Sequence, residues 1–340
     1  EGRRTEFFAR GYEGRPPQLC YTDRSLAAQV VADARARLDQ GAEYVQLVPM
    51  DNDQHCRCEA CRALFDEENR SRHFSSGKAS ALFWTFANRV ARELRASHPE
   101  GRVGALAYFD YAFPPPFELE PNILVGPCLH TRNWWCPAME RNDLAFYKGW
   151  CAKAPGRLHC LWLYQCFPYE RGDVYGFRAF PGFHAHTLGR QFRMFAADGV
   201  RGIFLCGVAD YIDGYLTLRS LDDPFFDIDA ALEEFFTGYY GPAGPAMRRL
   251  YLEIERVYMD PANYPEAVRT EDAHFHQTEE MAWRYLGTRE RLAAWGALLE
   301  EAEAAARSAE QKERVAVFRK DLWGPMAAGR AQWEAKRGER

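Results

Sequence analysis

The segment ASALFWTFANRVARELRASHPEGRVGALAY, residues 79–108, decides the fold because a helix pattern leads directly into a strand pattern. One face of the predicted helix at 79–96 is apolar and consists of Leu82, Phe83, Phe86, Val90 and Leu94. Pro99 prevents further helical growth, and residues 103–108 then form a short apolar run typical of a buried strand. A helix followed at once by a buried strand is the repeating element of a parallel α/β fold.

The same alternation extends in both directions from this segment. Before it, residues 25–38 predict a helix, and residues 44–48 predict a strand that ends at Pro49. A weaker strand pattern covers residues 18–21. After it, strand patterns at 123–126, 158–164 and 202–206 are separated by helix patterns at 142–153 and 183–197. Alternating strands and helices predict a parallel sheet joined by right-handed crossovers.

The character of the chain changes near residue 227, where three long helical stretches begin, at 228–258, 279–308 and 310–336. We therefore predict an α/β, (β/α)8 TIM-barrel-like domain at residues 1–226 and an all-helical C-terminal region at residues 227–340. A closed barrel has eight strands, and the sequence has about five clear ones. The sequence thus predicts that the first βα units lie in an upstream domain of the same polypeptide.

Composition excludes some partners. The 340 residues carry a formal net charge of -5, and 27% of them are charged, so no concentrated basic face for nucleic acid or an anionic membrane is expected. No run of apolar residues is long enough for a membrane span. Aromatic residues make up 14% of the chain, which suits the apolar faces of sugar rings as well as a large core. Ten cysteines are too few for a disulfide scaffold in a chain of this length.

Polar and aromatic side chains follow every predicted strand. In parallel α/β folds, ligands bind at the C-terminal ends of the strands, so these residues are the candidates for a site. Carboxyl groups for proton transfer, together with rings that seat a sugar, are what glycosidic cleavage requires. The strand-end candidates are Asp51, Asn52, Asp53, Tyr108, Asp110, His130, Arg132, Trp134, Tyr164, Asp210 and Tyr211.

Two of these candidates are assigned to catalysis and the others to substrate binding. Asp53 is the predicted acid/base or substrate-orienting carboxylate, and Asp210 is its predicted partner. Arg132 suits a substrate carboxylate, which a guanidinium binds in a bidentate manner. The distance between the two carboxyl groups would decide the mechanism, since it is about 5 Å in retaining and ~6.5–9.5 Å in inverting enzymes.

The most unusual stretch is His55-Cys56-Arg57-Cys58-Glu59-Ala60-Cys61. Its C-x-C-x2-C pattern offers three thiolates, Cys56, Cys58 and Cys61, to a structural zinc ion, with His55 or a distant cysteine as the fourth ligand. The same pattern is compatible with one disulfide and a spare thiol, or with thiols that only shape the loop. Apart from this zinc ion, we expect no cofactor.

Several motifs resemble the family DUF4838. They include Val48-Pro49-Met50-Asp51-Asn52-Asp53 with the cysteine cluster after it, Phe86-Ala87-Asn88-Arg89-Val90-Ala91, Val125-Gly126-Pro127-Cys128, and the run from Phe235 to Ala243, FFTGYYGPA. The last run is also similar to segments of α-glucuronidase-like and hexosaminidase-like proteins. The resemblance, over roughly residues 1 to 255, implies a TIM-barrel relative of glycoside hydrolases, commonly one module of a longer extracellular or periplasmic protein. Of the site residues, Asn52 and Asp53 match the family motif best.

Three functions are compatible with these patterns. The first is hydrolysis of O-glycosidic bonds in a poly- or oligosaccharide, such as one that contains uronic acids or N-acetyl sugars. The second is a non-catalytic carbohydrate-binding barrel module, which gains weight because no strand end shows an unambiguous Glu. The third, a zinc-dependent hydrolase, conflicts with the closed character of all-thiolate sites. A carboxyl group with a raised pKa that faces another carboxylate would favour the first function.

Overall fold

The computed structural model describes residues 5–69, 71–158, 160–208 and 210–338. Its central feature is a five-stranded parallel sheet in which the strands follow one another in chain order. The strands are β1 (Tyr44–Leu47), β2 (Arg102–Ala107), β3 (Ile123–Leu129), β4 (Leu161–Tyr164) and β5 (Ile203–Cys206). A sequential parallel order arises when every crossover runs in the same direction, as in one side of a (β/α) barrel.

The two faces of the sheet differ in their exposure. The register pairs Gln46 with Gly104 and Gly104 with Leu124, so these three residues share one face. That face is open and bears the exposed or half-exposed side chains of Tyr44, Gln46, Leu106, Leu124, Trp162 and Phe204. Residues of the opposite parity are buried, among them Val45, Val103, Ala105, Ile123 and Val125. Their nearly continuous apolar character fits a face that is covered by helices.

Helices account for most of the remaining described chain. They are α1 (Arg24–Asp39), α2 (Glu59–Arg62), α3 (Ser80–Ser97), α4 (Pro137–Lys153), α5 (Tyr169–Tyr175), α6 (Ala185–Ala197), α7 (Tyr211–Asp222), α8 (Ile228–Tyr240), α9 (Gly244–Met259), α10 (Glu266–Thr270), α11 (Arg289–Ala305), α12 (Ala309–Phe318) and α13 (Gly324–Arg337), with π-helical turns at Met281–Leu286 and Arg319–Trp323. Asp23 caps α1 because its carboxylate accepts the backbone N–H groups of Ser25 and Leu26. None of the helices in these described ranges is long and apolar enough to cross a membrane.

The chain forms two compact units. The first consists of residues 1–129, 141–163 and 199–204, and the second of residues 130–140, 164–198 and 205–340. In the first unit, α1 packs on α3, and the apolar face predicted for residues 79–96 lies in the core. In the second unit, Trp135 stacks on Tyr264 with ring centroids 4.0 Å apart. The predicted boundary at residue 226 falls inside the second unit and stays a prediction.

The structure confirms a mixed α/β fold with a parallel sheet, and it corrects several elements. Residues 18–21 form no strand of the sheet, because Leu19 makes only a single antiparallel bridge with Phe8. The predicted helix at 228–258 is interrupted at Gly241, whose φ of +57° is incompatible with helical continuation. Helices α5 and α7 were not predicted at all. The described chain contains five strands rather than eight, so a closed barrel is not observed.

Substitutions at two neighbouring residues of β3 test which face of the sheet is buried. Val125 is fully buried, whereas Leu124 lies on the open face. We expect Val125→Ala to lower the free energy of unfolding by about 2 kcal/mol, because it leaves a cavity in a packed core. The control Leu124→Ala should lower it by less than about 1 kcal/mol. Urea denaturation measures both, and an equal loss in the two variants would contradict the assigned faces.

Candidate functional site

In the first unit, the loops that follow β1 and β2 are joined by two side-chain contacts. The Tyr108 hydroxyl donates a hydrogen bond of 2.9 Å to Asp51. The His55 Nε2 atom lies 3.0 and 2.8 Å from the two carboxylate oxygens of Asp110. His55 and Asp110 are both buried, and Asp51 is exposed. Of the five predicted site residues in these two loops, Asp51 and Tyr108 contact each other, Asp110 contacts His55, and Asn52 and Asp53 lie in the same loop as Asp51.

The loop after β1 is held by amide side chains. The Gln18 side chain donates to the carbonyl oxygens of Met50 and Asn52, and its own oxygen accepts the Met50 N–H. The Asn52 side chain donates to Pro17 at 3.2 Å and accepts the Gln54 N–H at 3.0 Å. Asn52 therefore shapes the loop through backbone contacts. Asp53, the predicted catalytic carboxylate, is exposed in the same loop.

The loop after β2 contains a strained residue. Phe109 has a φ of +51°, a conformation that is uncommon for a residue other than glycine. The surroundings hold this conformation, because the Phe109 carbonyl accepts the Ser76 N–H at 2.8 Å and its ring packs 4.7 Å from that of Phe74. The next carbonyl, of Asp110, accepts the Ala79 N–H at 2.7 Å. These contacts therefore fix the backbone that carries Asp110 in spite of the strain at Phe109.

The three cysteines of the C-x-C-x2-C motif are joined by a fourth from a distant part of the sequence. Cys20, which precedes α1, has its sulfur 3.9 Å from that of Cys58 and 3.8 Å from that of Cys61. The four sulfur atoms of Cys20, Cys56, Cys58 and Cys61 all lie within 4.8 Å of one another. These four residues are the group in the described ranges that could hold a metal ion.

In the second unit, Arg132 is the centre of a buried ionic cluster. Its guanidinium donates to the Gln165 carbonyl at 2.7 Å, to Asp210 at 2.9 Å, and to Asp213. His184 contacts the same Asp213 carboxylate through Nδ1 at 2.8 Å. The side chains of Arg132, Asp210, Asp213 and His184 are at most 3% exposed. The guanidinium that was predicted to bind substrate is thus surrounded by protein acceptors.

The pKa values of the two aspartates in this cluster are shifted in opposite directions. Burial raises the pKa of Asp210 to about 7, and the negative charge of Asp213 acts in the same direction. Burial also opposes ionisation of Asp213, but His184, Arg132 and a hydrogen bond from the Tyr251 hydroxyl outweigh it and hold the pKa of Asp213 well below its usual range. Burial lowers the pKa of His184. Below about pH 7 the cluster therefore balances one guanidinium charge mainly with one carboxylate, that of Asp213.

Asp210 also has a backbone role. It is the N-cap of α7, and its Oδ1 atom accepts the Asp213 N–H at 2.9 Å. Because Asp213 is the third residue of this helix, the cap places both carboxyl groups at one helix end, within reach of one guanidinium. Helix α7, which the sequence did not predict, therefore brings the two carboxyl groups of the cluster together.

Asp210 borders an open pocket of about 780 Å³ in the second unit. This volume is within the range of small-molecule sites, about 300–1,000 Å³. Four acidic residues line the pocket, namely Glu170, Asp173, Asp210 and Asp321. Tyr169 and Tyr211 contribute rings, and the Tyr211 hydroxyl is hydrogen-bonded to that of Tyr240. The pocket thus combines one buried carboxyl group of raised pKa with exposed carboxylates and aromatic rings.

Two further predicted residues, His130 and Tyr164, lie in an aromatic group of the second unit. His130 stacks on Tyr164 with ring centroids 4.9 Å apart, and Phe167 packs 4.5 Å from His276. Burial lowers the pKa of His276 to about 2, so this histidine is neutral. Trp134 is buried, with 7% of its surface exposed. The assignment of His130, Trp134 and Tyr164 to substrate binding stays a prediction.

Five residues of these sites were not among the predicted site residues, namely Cys20, Glu170, His184, Asp213 and Tyr251. Two had a usable signal. Asp213 stands three residues after Asp210, which is the spacing of a helix N-cap and its third residue. Glu170 follows the end of β4 by a few residues, within the range in which strand-end ligands occur. The other three come together only through tertiary packing.

The sequence matches DUF4838, described as a domain of unknown function, over residues 2–253, and the chain belongs to this family. The match confirms the resemblance found from the motifs. No curated protein matches the chain, and no solved structure does.

Loss of the central cation should unfold the cluster. We expect Arg132→Met to lower the free energy of unfolding by about 3–5 kcal/mol, because Asp213 would keep a buried charge without its main partner. The control is Arg256→Met, which breaks an exposed pair with Glu253 and should cost less than about 1 kcal/mol. Denaturant titration of both variants checks this, and similar losses would contradict a buried ionic cluster.

The raised pKa of Asp210 predicts a specific dependence of stability on pH. Since the folded state binds this proton more tightly than the unfolded state, the contribution of Asp210 is fully present below about pH 4 and is lost as the pH rises to about 7. Relative to Asp210→Asn, the wild type should therefore lose stability between pH 5 and pH 7 and change little above pH 8. Unfolding free energies across this range test the sign, and a relative gain with rising pH would refute it.

Proposed function

We propose that the chain is a glycoside-hydrolase-type enzyme that cleaves O-glycosidic bonds of an oligo- or polysaccharide, with Asp210 as the general acid. The observation that carries the proposal is the pKa of about 7 for a carboxyl group that borders an open pocket lined by other carboxylates and by tyrosine rings. Glycosidases require one carboxyl group that stays protonated near neutral pH and a second one that is ionised.

In this proposal, the ionic cluster controls the protonation of Asp210 and stabilises its charge after proton transfer. A proton on Asp210 is retained because the carboxyl group is buried and because Asp213 already supplies a negative charge beside Arg132. When Asp210 transfers its proton to the leaving-group oxygen, its new charge is stabilised by the same guanidinium at 2.9 Å. Arg132 thus acts as a positioning residue for Asp210, instead of contacting a substrate carboxylate.

The second carboxylate of the proposal is Glu170, on α5. It borders the same pocket as Asp210, and, together with burial, it raises the pKa of the Cys166 thiol. As an exposed carboxylate it would act as nucleophile or as the base that activates water. Asp53, predicted from the sequence for this role, remains the alternative and is tested by the same assay.

The charge of the pocket favours an uncharged sugar. Glu170, Asp173 and Asp321 are all exposed carboxylates on its wall, so they would repel the carboxylate of a uronic acid. Tyr169 and Tyr211 offer rings on which a sugar face can stack. The proposed substrate is therefore a neutral or N-acetylated sugar in preference to a uronide.

The sheet is proposed to be part of a closed (β/α)8 barrel, with further strands from an upstream part of the same polypeptide. The sequential parallel strand order supports this, as does the open apolar face. On that face Trp162 stacks on Phe204 with ring centroids 4.0 Å apart, and Phe204 is 48% exposed. The interior of a closed barrel is filled by such side chains, which would bury this surface.

The experiment is a screen of aryl glycosides, including N-acetylated and uronic-acid forms, with the full-length chain. We expect Asp210→Asn to lower kcat/KM by about 10²–10⁴-fold, since general-acid catalysis contributes that much. Asn is a good helix N-cap and Arg132 keeps Asp213, so the variant should fold. The loss should be smaller for an aryl group that leaves without protonation. Wild-type kcat/KM should fall as the pH rises through about 7, because the acid must be protonated.

Matched variants identify the second carboxylate. Glu170→Gln is expected to abolish turnover of every aryl glycoside, while Asp53→Asn and the surface control Glu253→Gln should retain it. Loss in Asp53→Asn alone would return the role to Asp53. No hydrolysis of any substrate, together with binding to an oligosaccharide array, would replace the proposal with the non-catalytic carbohydrate-binding barrel.

A further inference from the structure

The four cysteines of the first unit converge from two separate segments. Cys20 lies in the turn before α1, and the other three lie in the loop after β1 and in α2. Cys20, Cys56 and Cys61 are at most 2% exposed, and Cys58 is half-buried. All ten cysteines are in the described ranges and are free thiols. The four sulfurs therefore face one another without any disulfide between them.

The distances between these sulfurs match a tetrahedral metal site. A zinc–sulfur bond of about 2.3 Å places the sulfurs of a tetrahedron about 3.8 Å apart. Cys20 lies 3.9 Å from Cys58 and 3.8 Å from Cys61, and no pair of the four exceeds 4.8 Å. A disulfide, by contrast, joins sulfurs that are only about 2.05 Å apart. The geometry thus suits four ligands of one ion better than two covalent pairs.

Donors surround the sulfurs as they do in thiolate sites. The Arg10 backbone N–H points to Cys56 at 3.3 Å, and the Thr22 hydroxyl lies 3.2 Å from Cys61 and 3.8 Å from Cys58. Such hydrogen bonds stabilise the negative charge of metal-bound thiolates. Apolar residues complete the shell, among them Phe7, Leu19, Val30 and Leu64. Free thiols that served only as core residues would not need these donors.

We propose that Cys20, Cys56, Cys58 and Cys61 bind one Zn²⁺ ion as a closed structural site. On binding, the four thiols release their protons to solvent, and all four positions of the ion are filled by sulfur. No position is left for water or substrate, so the ion has no part in catalysis. This inference does not depend on the proposed function.

The zinc ion links the N-terminal segment to the loop after β1. Without it, the contact between Cys20 and the later cysteines would consist only of weak thiol interactions. With it, the loop that carries Asp51, Asn52 and Asp53 is fixed at both ends, by β1 before it and by the metal after it. His55, which holds Asp110, directly precedes the first ligand of this loop.

The test is metal analysis of the full chain, purified in the presence of reductant and Zn²⁺. We expect one zinc per chain in the wild type and in the control Cys151→Ser, whose half-buried cysteine lies outside the cluster on α4. Cys20→Ser should lose most of the zinc. Thr22→Val should retain the stoichiometry but bind zinc about 10–100-fold more weakly, as loss of an outer hydrogen bond does.

A measurement on the wild type decides the question even if Cys20→Ser does not fold. With zinc bound, these four cysteines should resist alkylation, and a chelator should make them reactive, as read by mass spectrometry of the peptides. Cobalt in place of zinc should show the absorption of a tetrahedral tetrathiolate. The proposal is overturned by a wild type without stoichiometric zinc, by iron in its place, by a disulfide among the four, or by thiol reactivity that the chelator does not change.

Discussion

The second unit depends on the interactions of one buried group, the guanidinium of Arg132. A desolvated cation is tolerated only when anions and carbonyl groups satisfy it. Asp210, Asp213 and the Gln165 carbonyl do so, and Asp213 is in turn contacted by His184 and Tyr251. The cluster thereby ties together the segment after β3, the start of α6, the start of α7, and α9. One cation beside two carboxyl groups also explains why their pKa values separate.

The elements with strong periodicity were predictable from the sequence. The apolar face of α3 and the apolar runs of β1 to β5 could be identified from the sequence because they reflect burial. A strand that is covered on both faces is apolar throughout, and a half-covered helix is apolar on one side. Helices α5 and α7 escaped prediction because each contains a glycine, Gly172 and Gly214 respectively, which weakens the helical pattern. Their stability comes from tertiary contacts that a sequence pattern does not record.

Some residues of each candidate site were predictable from the sequence, but their clusters were not. The strand-end rule identified Arg132 and Asp210 separately, but it assigned the arginine to a substrate carboxylate. Their contact joins positions 78 residues apart, and only the fold reveals it. The cysteine motif similarly indicated three ligands, while the fourth, Cys20, lies 38 residues before Cys58 and has no local signature. Local chemistry is visible in a sequence, whereas the convergence of distant side chains depends on packing.

The central claim is that Asp210 keeps a proton near neutral pH because its carboxyl group is buried and Asp213 already supplies the negative charge beside Arg132. The most direct measurement is a ¹³C NMR titration of the aspartate carboxyl carbons, with the Asp210 signal identified by its absence in Asp210→Asn. The account predicts a carboxyl group that titrates with a pKa of about 7. A signal of an ionised carboxylate throughout the range from pH 5 to pH 8 would contradict it and remove Asp210 as the acid.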